Sequence, residues 1–356
     1  MTMASFRKGG YEYISAKIAE GIADGTREAT VSGLWEIDRV IRLPSGFTLI
    51  LEECHLRMAD GTFSNMFVNE SHGTDSGRTA AGRDRDISII GRGRAILDGG
   101  RYNGLSEKNQ LQDGRPPIWK NNLLLFTNVE GFRICDICCR NQRWWAMNFI
   151  YCAHGYLGNI DFAANDTGVD KWGNEYHGIM RSRYDEIVVV NADGIDLRQG
   201  CHDIVIENIT GFTQDDTVAL TGLNGRLERA FSVEGLPSDI CNVEIRNVAS
   251  ATLCANVRLL NQGDVRLHDI LIDGVYDMAD SSPHMEERGL YAVRVGDNRL
   301  YGTRHATKEE TYNITLRNIR GGGRYVISLA GDMAGLVMEN IEAVGECEVL
   351  LDERVK

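Results

Sequence analysis

One pattern constrains this 356-residue chain more than any other: a short run of alternating apolar residues that ends in Asn or Asp and resumes with an apolar residue. It recurs as FRICDI (to Asp136), DIVIENI (to Asn208), NVEIRNV (to Asn247), DILIDGV (to Asp273), NITLRNI (to Asn318) and GLVMENI (to Asn340). A shorter version, YLGNIDF, holds Asn159. Asn318 and Asn340 are 22 residues apart and Asn247 and Asp273 are 26 apart, while the Asn208–Asn247 and Asp273–Asn318 steps are 39 and 45. A base period in the low twenties, lengthened by insertions, is the signature of a solenoid. An apolar period of two rather than 3.6 makes the repeating unit a strand.

One such coil cannot bury its inward Ile, Val and Leu side chains alone. Coils stacked roughly 4.8 Å apart bury them against one another. Asn at a fixed turn position tolerates unusual backbone angles and hydrogen-bonds its own loop, and stacked asparagines can share amide hydrogen bonds from coil to coil. A β-sandwich of similar strands is the competing reading. The recurring Asn and the 22-residue step favour an all-β chain folded as a right-handed parallel β-helix. The 39 glycines against 5 prolines suit many turns between hydrogen-bonded strands.

A solenoid needs capped ends. The segment YISAKIAEGIADG, with Ile14, Ile18 and Ile22 at helical spacing, predicts an N-terminal capping helix. The expected organisation is one domain over 1–356, with a cap region over about 1–35 and coils over about 36–356. Long insertions fall near 163–186 and 280–310, where a solenoid places loops, often on its binding face.

The net charge of -13 argues against nucleic acid, which needs a basic face. No stretch approaches ~18 apolar residues, so no membrane span is expected. The nine cysteines are odd in number and the first residues carry no apolar leader, so a reduced, cytoplasmic location is the expectation. Cys135 and Cys138 stand at C-x-x-C spacing beside Cys139, without a second such pair, and their apolar setting favours core cysteines over zinc ligands. β-helices often assemble side by side, which leaves a homo-oligomer open.

Three aspartates carry the chemistry. Asp193, in VVVNADGIDLRQG, and Asp215, in GFTQDDTVALTG, are 22 residues apart, one coil period, and Asp216 follows directly. They should stack on one face of neighbouring coils. Adjacent strand residues point to opposite faces, so Asp215 and Asp216 can share a cleft only at a corner, and Gly211 with Thr213-Gln214 fits such a corner. Clustered carboxylates repel, and at least one pKa should rise. An acid and a base side by side is what glycoside hydrolysis needs. A calcium site and solvated turn aspartates are the other readings of the same spacing.

NADGIDL followed by TQDDTVAL resembles glycoside hydrolase family 28, the polygalacturonases and rhamnogalacturonan hydrolases of the pectin lyase-like superfamily. ISIIGRGRAILDGG, NQRWWAMNF and LPSGFTLILEE are similar to its early strands, so the resemblance covers most of the chain. It implies Asp215 as general acid, Asp193 and Asp216 holding and activating a water, inversion of configuration, and acid and base roughly 6.5–9.5 Å apart. It implies no cofactor and no metal. The family's Gly-His-Gly element should fall near VASATLCANVRLLN, which has no His. Of its Arg-x-Lys pair, Arg294 matches the Arg and Gly296 stands at the Lys.

Further substrate-binding candidates are Arg258, Asn191, Gln214, His177 in the first insertion, and Trp172, the better sugar platform beside Trp144 and Trp145. Arg258 and Arg294 read equally as surface strand arginines, His177 as a solvated loop residue, and Trp145 as core. The expected partner is an oligo- or polysaccharide. A uronate lyase or epimerase, a fructan transferase and a non-catalytic carbohydrate-binding solenoid are the alternatives.

Overall fold

The computed structural model describes residues 5–100, 120–142, 145–164, 168–169, 175–176, 192–223, 228–263, 265–282, 288–301 and 303–355. The chain winds as a right-handed parallel β-helix in which each coil gives one strand to each of two ten-stranded sheets. The first sheet runs from Glu28–Ile37 to Val337–Ala343, and the second from Ile41–Leu43 to Glu348–Arg354, with strands in chain order throughout. A two-residue antiparallel ribbon, Gly168–Val169 with Glu175–Tyr176, lies in the first insertion.

Stacked apolar side chains fill the interior. Ile89, Ile134, Leu157, Ile206, Ile245, Ile272 and Leu316 stand in unbroken register along the first sheet, each fully buried. Met147, Ile195, Val218, Val257, Val293 and Ile327 form the matching row of the second. Each such side chain contributes about 1.5–3 kcal/mol by leaving water, and no coil could bury its row without its neighbours.

The recurring Asn is a structural turn. Asp136, Asn159, Asn208, Asn247, Asn318 and Asn340 all have φ between 53° and 61°. Their side chains hydrogen-bond in a chain: Asn159 Nδ2 donates to Asp136 Oδ1 (2.8 Å), Asn208 to Asn159 (3.0 Å), Asn247 to Asn208 (3.2 Å) and Asn340 to Asn318 (2.7 Å). Asp273 departs from the repeat by one residue. Gly274 takes the left-handed conformation there (φ 84°), and Asp273 Oδ1 accepts from Asn318 instead. A second ladder, unforeseen from the sequence, holds the other end of the first-sheet strands. It comprises His154, Asp203, Asn242, Asp269 and Asn313, all at φ between 52° and 55°.

The helix Gly10–Ala23 caps the first coil as expected, burying Ile14 and Ile18. Ile22 is 44% exposed, because the close approach is made next door at Gly21, where a Cβ would lie 2.3 Å from the Glu28 carbonyl. Two expected boundaries need correction. Glu28–Ile37 already pairs with Thr48–Met58, so coils begin at 28 rather than 36. Tyr291–Val295, inside the expected 280–310 insertion, is a strand of the second sheet, flanked by shorter loops.

Of the three cysteines expected in the core, Cys139 belongs to it, while Cys135 is buried outside the core cluster and Cys138 is half-buried. No described helix is long and apolar enough to cross a membrane.

Candidate active site

The strand His202–Thr213 leaves the first sheet and Val218–Gly222 enters the second, and the corner between them carries Asp215 and Asp216. Gly211, two residues before the end of the first strand, has φ 97°, and a Cβ there would lie 1.9 Å from the Phe162 carbonyl, so only glycine fits. A buried chain of hydroxyls fixes the corner. Thr213 Oγ1 donates to the Asp215 carbonyl (2.8 Å), as does Thr252 Oγ1. Thr213, Thr217 and Ser250 are linked at 2.9 Å each, and Asn256 Nδ2 donates to Ser250 Oγ (2.9 Å). Asp216 Oδ1 accepts from the Ala255 N–H (3.1 Å).

Asp193 opens the strand Asp193–Arg198 on the adjoining coil. The Ile195–Val218 register and the bond from Gly194 N–H to the Asp216 carbonyl (3.0 Å) set Asp193 level with Asp216, not with Asp215 as a 22-residue step suggests. The corner adds one residue to that coil. Gln214 is buried in the same corner and its N–H donates to the Ala192 carbonyl (3.1 Å).

A fourth carboxylate, Asp196, joins the cluster and was not foreseen. It stands on the outer face of the second sheet in a row that runs along the solenoid: Asn148, Asp196, Ala219, Arg258, Arg294, Ser328. The strand alternation of NADGIDL carried the signal, since Ile195 and Leu197 point inward and Asp196 must point out. Arg198 Nη2 lies 3.4 Å from Asp196 Oδ1, and its guanidinium covers the Trp145 ring at 3.9 Å. Trp145 is therefore buried, but in an outer cluster with Val68 and Leu125 rather than in the solenoid core.

The electrostatics follow from burial. Burial first, then the charges of Asp196, Asp215 and Asp216, hold the Asp193 carboxyl well above the usual range. Burial pushes Asp196 up to about 8, with Arg198 opposing and Asp216 and Asp215 adding. Burial and Asp215 push Asp216 up to about 7, against the pull of Arg258. The cluster is thus only partly ionised near neutral pH.

Arg258 and Arg294 stand side by side in the outer row. Arg258 Nη1 donates to the Gly296 carbonyl (2.6 Å), and its Nη2 lies 4.0 Å from Asp297 Oδ1. Gly296 is the position where the resembled family carries Lys. It has φ 85°, and a Cβ there would lie 1.8 Å from the Ala330 carbonyl, so no Lys can stand there in this chain. Arg258, from the neighbouring coil, brings a cation to that backbone instead.

The segment without the family's His brings Cys254 to the aspartates. Burial, Asp216 and Asp215 hold its thiol well above its ordinary value. One oxygen each of Asp215 and Asp216 and the Cys254 sulfur lie within 4.8 Å of one another. A thiol among the donors does not suit calcium, which takes oxygen ligands. Tyr301 stands at the rim, its phenol pushed up by burial and by the charges of Asp215 and Asp216. Asn191, His177, Trp172 and Trp144 lie outside the described residues.

Several buried polar atoms of this face have no hydrogen-bond partner among the described residues: Asp193 Oδ1, Asp196 Oδ2, both side-chain polar atoms of Asn148, Arg258 Nη2 and Arg294 Nε. Apart from Asp193, these residues all stand in the one outer row of the second sheet.

No protein-family model matches the chain, and no curated protein matches it. Solved structures do. The chain is similar to a mutant tailspike protein of E. coli bacteriophage HK620 solved with a hexasaccharide (TM-score 0.52, 13% identity, 96% of this chain and 62% of that one). It is also similar to endo-xylogalacturonan hydrolase from Aspergillus tubingensis (TM-score 0.50, 14% identity, 98% and 95%). A third is the surface protein and adhesin PfbA of Streptococcus pneumoniae (TM-score 0.50, 13% identity, 96% and 94%). These likenesses join the chain to the parallel β-helix proteins by fold.

Proposed function

We propose that the chain is a glycoside hydrolase, a divergent relative of family 28, that cleaves an oligo- or polysaccharide by an inverting acid/base mechanism. The observation that carries this reading is the corner of Asp193, Asp215 and Asp216, the first buried and the other two half-buried, continued by the row of Asp196, Arg258 and Arg294. Sugar hydroxyls both donate and accept, and suit such a surface.

Asp215 protonates the leaving oxygen. Its neighbour Asp216 comes within 4.8 Å, closer than the roughly 6.5–9.5 Å that leaves room for a water between acid and base. Activation of the water therefore falls to Asp193 across the coil step, with Asp216 orienting that water. Ala219, the one small side chain between Asp196 and Arg258, leaves space for a sugar ring beside the corner. Arg258 and Arg294 hold the ring on the far side.

A glycan panel read by product mass tests the proposal. Wild type should release shorter glycans with a gain of one water, while Asp215→Asn and Asp193→Asn each lose about 100-fold or more of the rate. Near wild-type turnover in both variants, or products lighter by one water, would overturn it. Glycans bound but left intact by wild type would point to a binding solenoid.

A further inference from the structure

We propose a second, separate site: His154, His202 and Asp203 form a binding site for a borderline divalent cation, for which zinc is the best match. The three residues lie at the end of the first-sheet strands opposite the aspartate corner. Cys201 precedes the strand His202–Thr213, whose far end leads to Asp215. Register places His202 beside Ala153 and Ile204 beside Gly155, which sets Asp203 level with His154 on the adjoining coil.

Each residue offers one donor atom, and the three donors lie within 4.8 Å of one another. His202 Nδ1 is 2.6 Å from Asp203 Oδ2, and His154 Nδ1 is 3.9 Å from the same oxygen. The two imidazole rings stand edge to face with centres 5.7 Å apart. Two imidazoles on one tetrahedral zinc, through bonds of ~2.0 Å, hold their centres about 5 Å apart. Two ligand atoms on such a zinc stand about 3.3 Å apart, so His202 must part from Asp203 and His154 must close on it, each by less than about 1 Å.

The carboxylate is already oriented. Asn242 Nδ2 donates to Asp203 Oδ1 (3.1 Å), which leaves Oδ2 facing both rings. Partners of this kind, holding a ligand from behind, are a feature of metal sites. The His154 side chain makes no hydrogen bond among the described residues, and no Lys or Arg pairs with Asp203 among them; the competitor for the carboxylate is the proton on its own histidines. Two nitrogens and one carboxylate oxygen, with an open fourth position, suit zinc over calcium or magnesium.

A neighbouring cluster serves as a comparison within the same ladder. His268 Nδ1 is likewise 2.6 Å from Asp269 Oδ2. There the third group is Asp239, already bound by the Arg266 guanidinium at 2.6 Å, and Tyr312 stacks on the imidazole at 4.5 Å. No Arg or Tyr stands so against His154 among the described residues.

The test uses the full chain. Zn²⁺ is titrated by calorimetry into wild type, His154→Asn and His268→Gln, and Co²⁺ binding is followed by visible absorption. Asn holds the same left-handed turn at Asn242 and Asn313, so His154→Asn keeps the fold while removing one ligand. Wild type should bind one zinc, His154→Asn about tenfold or more weaker, and His268→Gln unchanged. Zinc should raise the melting temperature of wild type, reversibly by chelator, and leave that of His154→Asn unmoved. The Co²⁺ spectrum should lack a thiolate charge-transfer band. No zinc binding by wild type, equal affinity in wild type and His154→Asn, or a thiolate band assigning the metal to cysteine would overturn the site. Hydrolysis of a glycan does not enter these readouts, so this test stands or falls apart from the proposed activity.

Discussion

Asp196 shows how burial sets chemistry at a single residue. Its carboxyl is pushed up to about 8 by burial, with Arg198 opposing, whereas an unfolded Asp titrates near ~3.9. A raised folded-state pKa means the native chain holds the proton more tightly. The associated stability is present below about pH 4 and is lost as pH rises to about 8. Asp196→Asn, which keeps the shape and cannot ionise, should therefore be stabilising by on the order of 2 kcal/mol at pH 8 and nearly neutral at pH 4. Thermal melts across that range check the sign, and a variant that is less stable at pH 8 than at pH 4 relative to wild type contradicts it. The charge of Asp196 is also one cause of the raised Asp193 carboxyl, so in Asp196→Asn the acidic limb of the rate profile, set by the base, should move to lower pH.

The same scale shows what the sequence could carry. Asp193, Asp215 and Asp216 were legible because a chemical motif and a coil period coincide on them. Asp196 was hidden as one more polar residue of a strand, and only the knowledge that Ile195 and Leu197 face inward exposes it. Cys254 was hidden because it reaches the corner from a coil 38–39 residues downstream, and no local pattern announces that contact.

At the scale of elements, the Asn ladder is the repeat unit's lock. Asn208 holds φ 56°, donates to Asn159 and accepts from Asn247. Asn208→Ala loses both bonds and adds left-handed strain, for a cost of about 2–3 kcal/mol, while Asn208→Gly loses the bonds alone, for about 1–2 kcal/mol. Urea denaturation of the two variants should rank them in that order. This ladder was readable because Asn recurs at it. The second ladder was not, because His, Asp and Asn share its turns and the eye finds no repeated letter. Gly296 belongs to this scale as well. A side chain there meets the Ala330 carbonyl, so Gly296→Lys, which restores the family's pattern on paper, should give a misfolded or strongly destabilised chain rather than a polygalacturonate-binding one.

The whole molecule is a one-dimensional stack, and its stability should be distributed accordingly. The central coils are sealed on both sides. The last described coil leaves Val337, Met338, Val349 and Leu350 each more than a third exposed. Hydrogen exchange should proceed first in Val337–Ala343 and Glu348–Arg354, and last in the coils around Ile206 and Ile245. Uniform protection from end to end would contradict the stacked-coil account. The architecture was the most legible part of the sequence, since a strand period of two combined with a 22-residue step leaves few folds. Coil boundaries were less so, because Tyr291–Val295 is a five-residue strand between two loops and reads as part of one long insertion.

The central claim is that the aspartate corner hydrolyses a glycosidic bond with inversion. Proton NMR of the first-formed anomer, on a glycan that wild type cleaves, tests it most directly when followed for wild type and Asp215→Asn. The account requires product of the anomeric configuration opposite to the substrate bond, formed by wild type and almost absent with Asp215→Asn. Retained configuration, or equal product from both proteins, would contradict it.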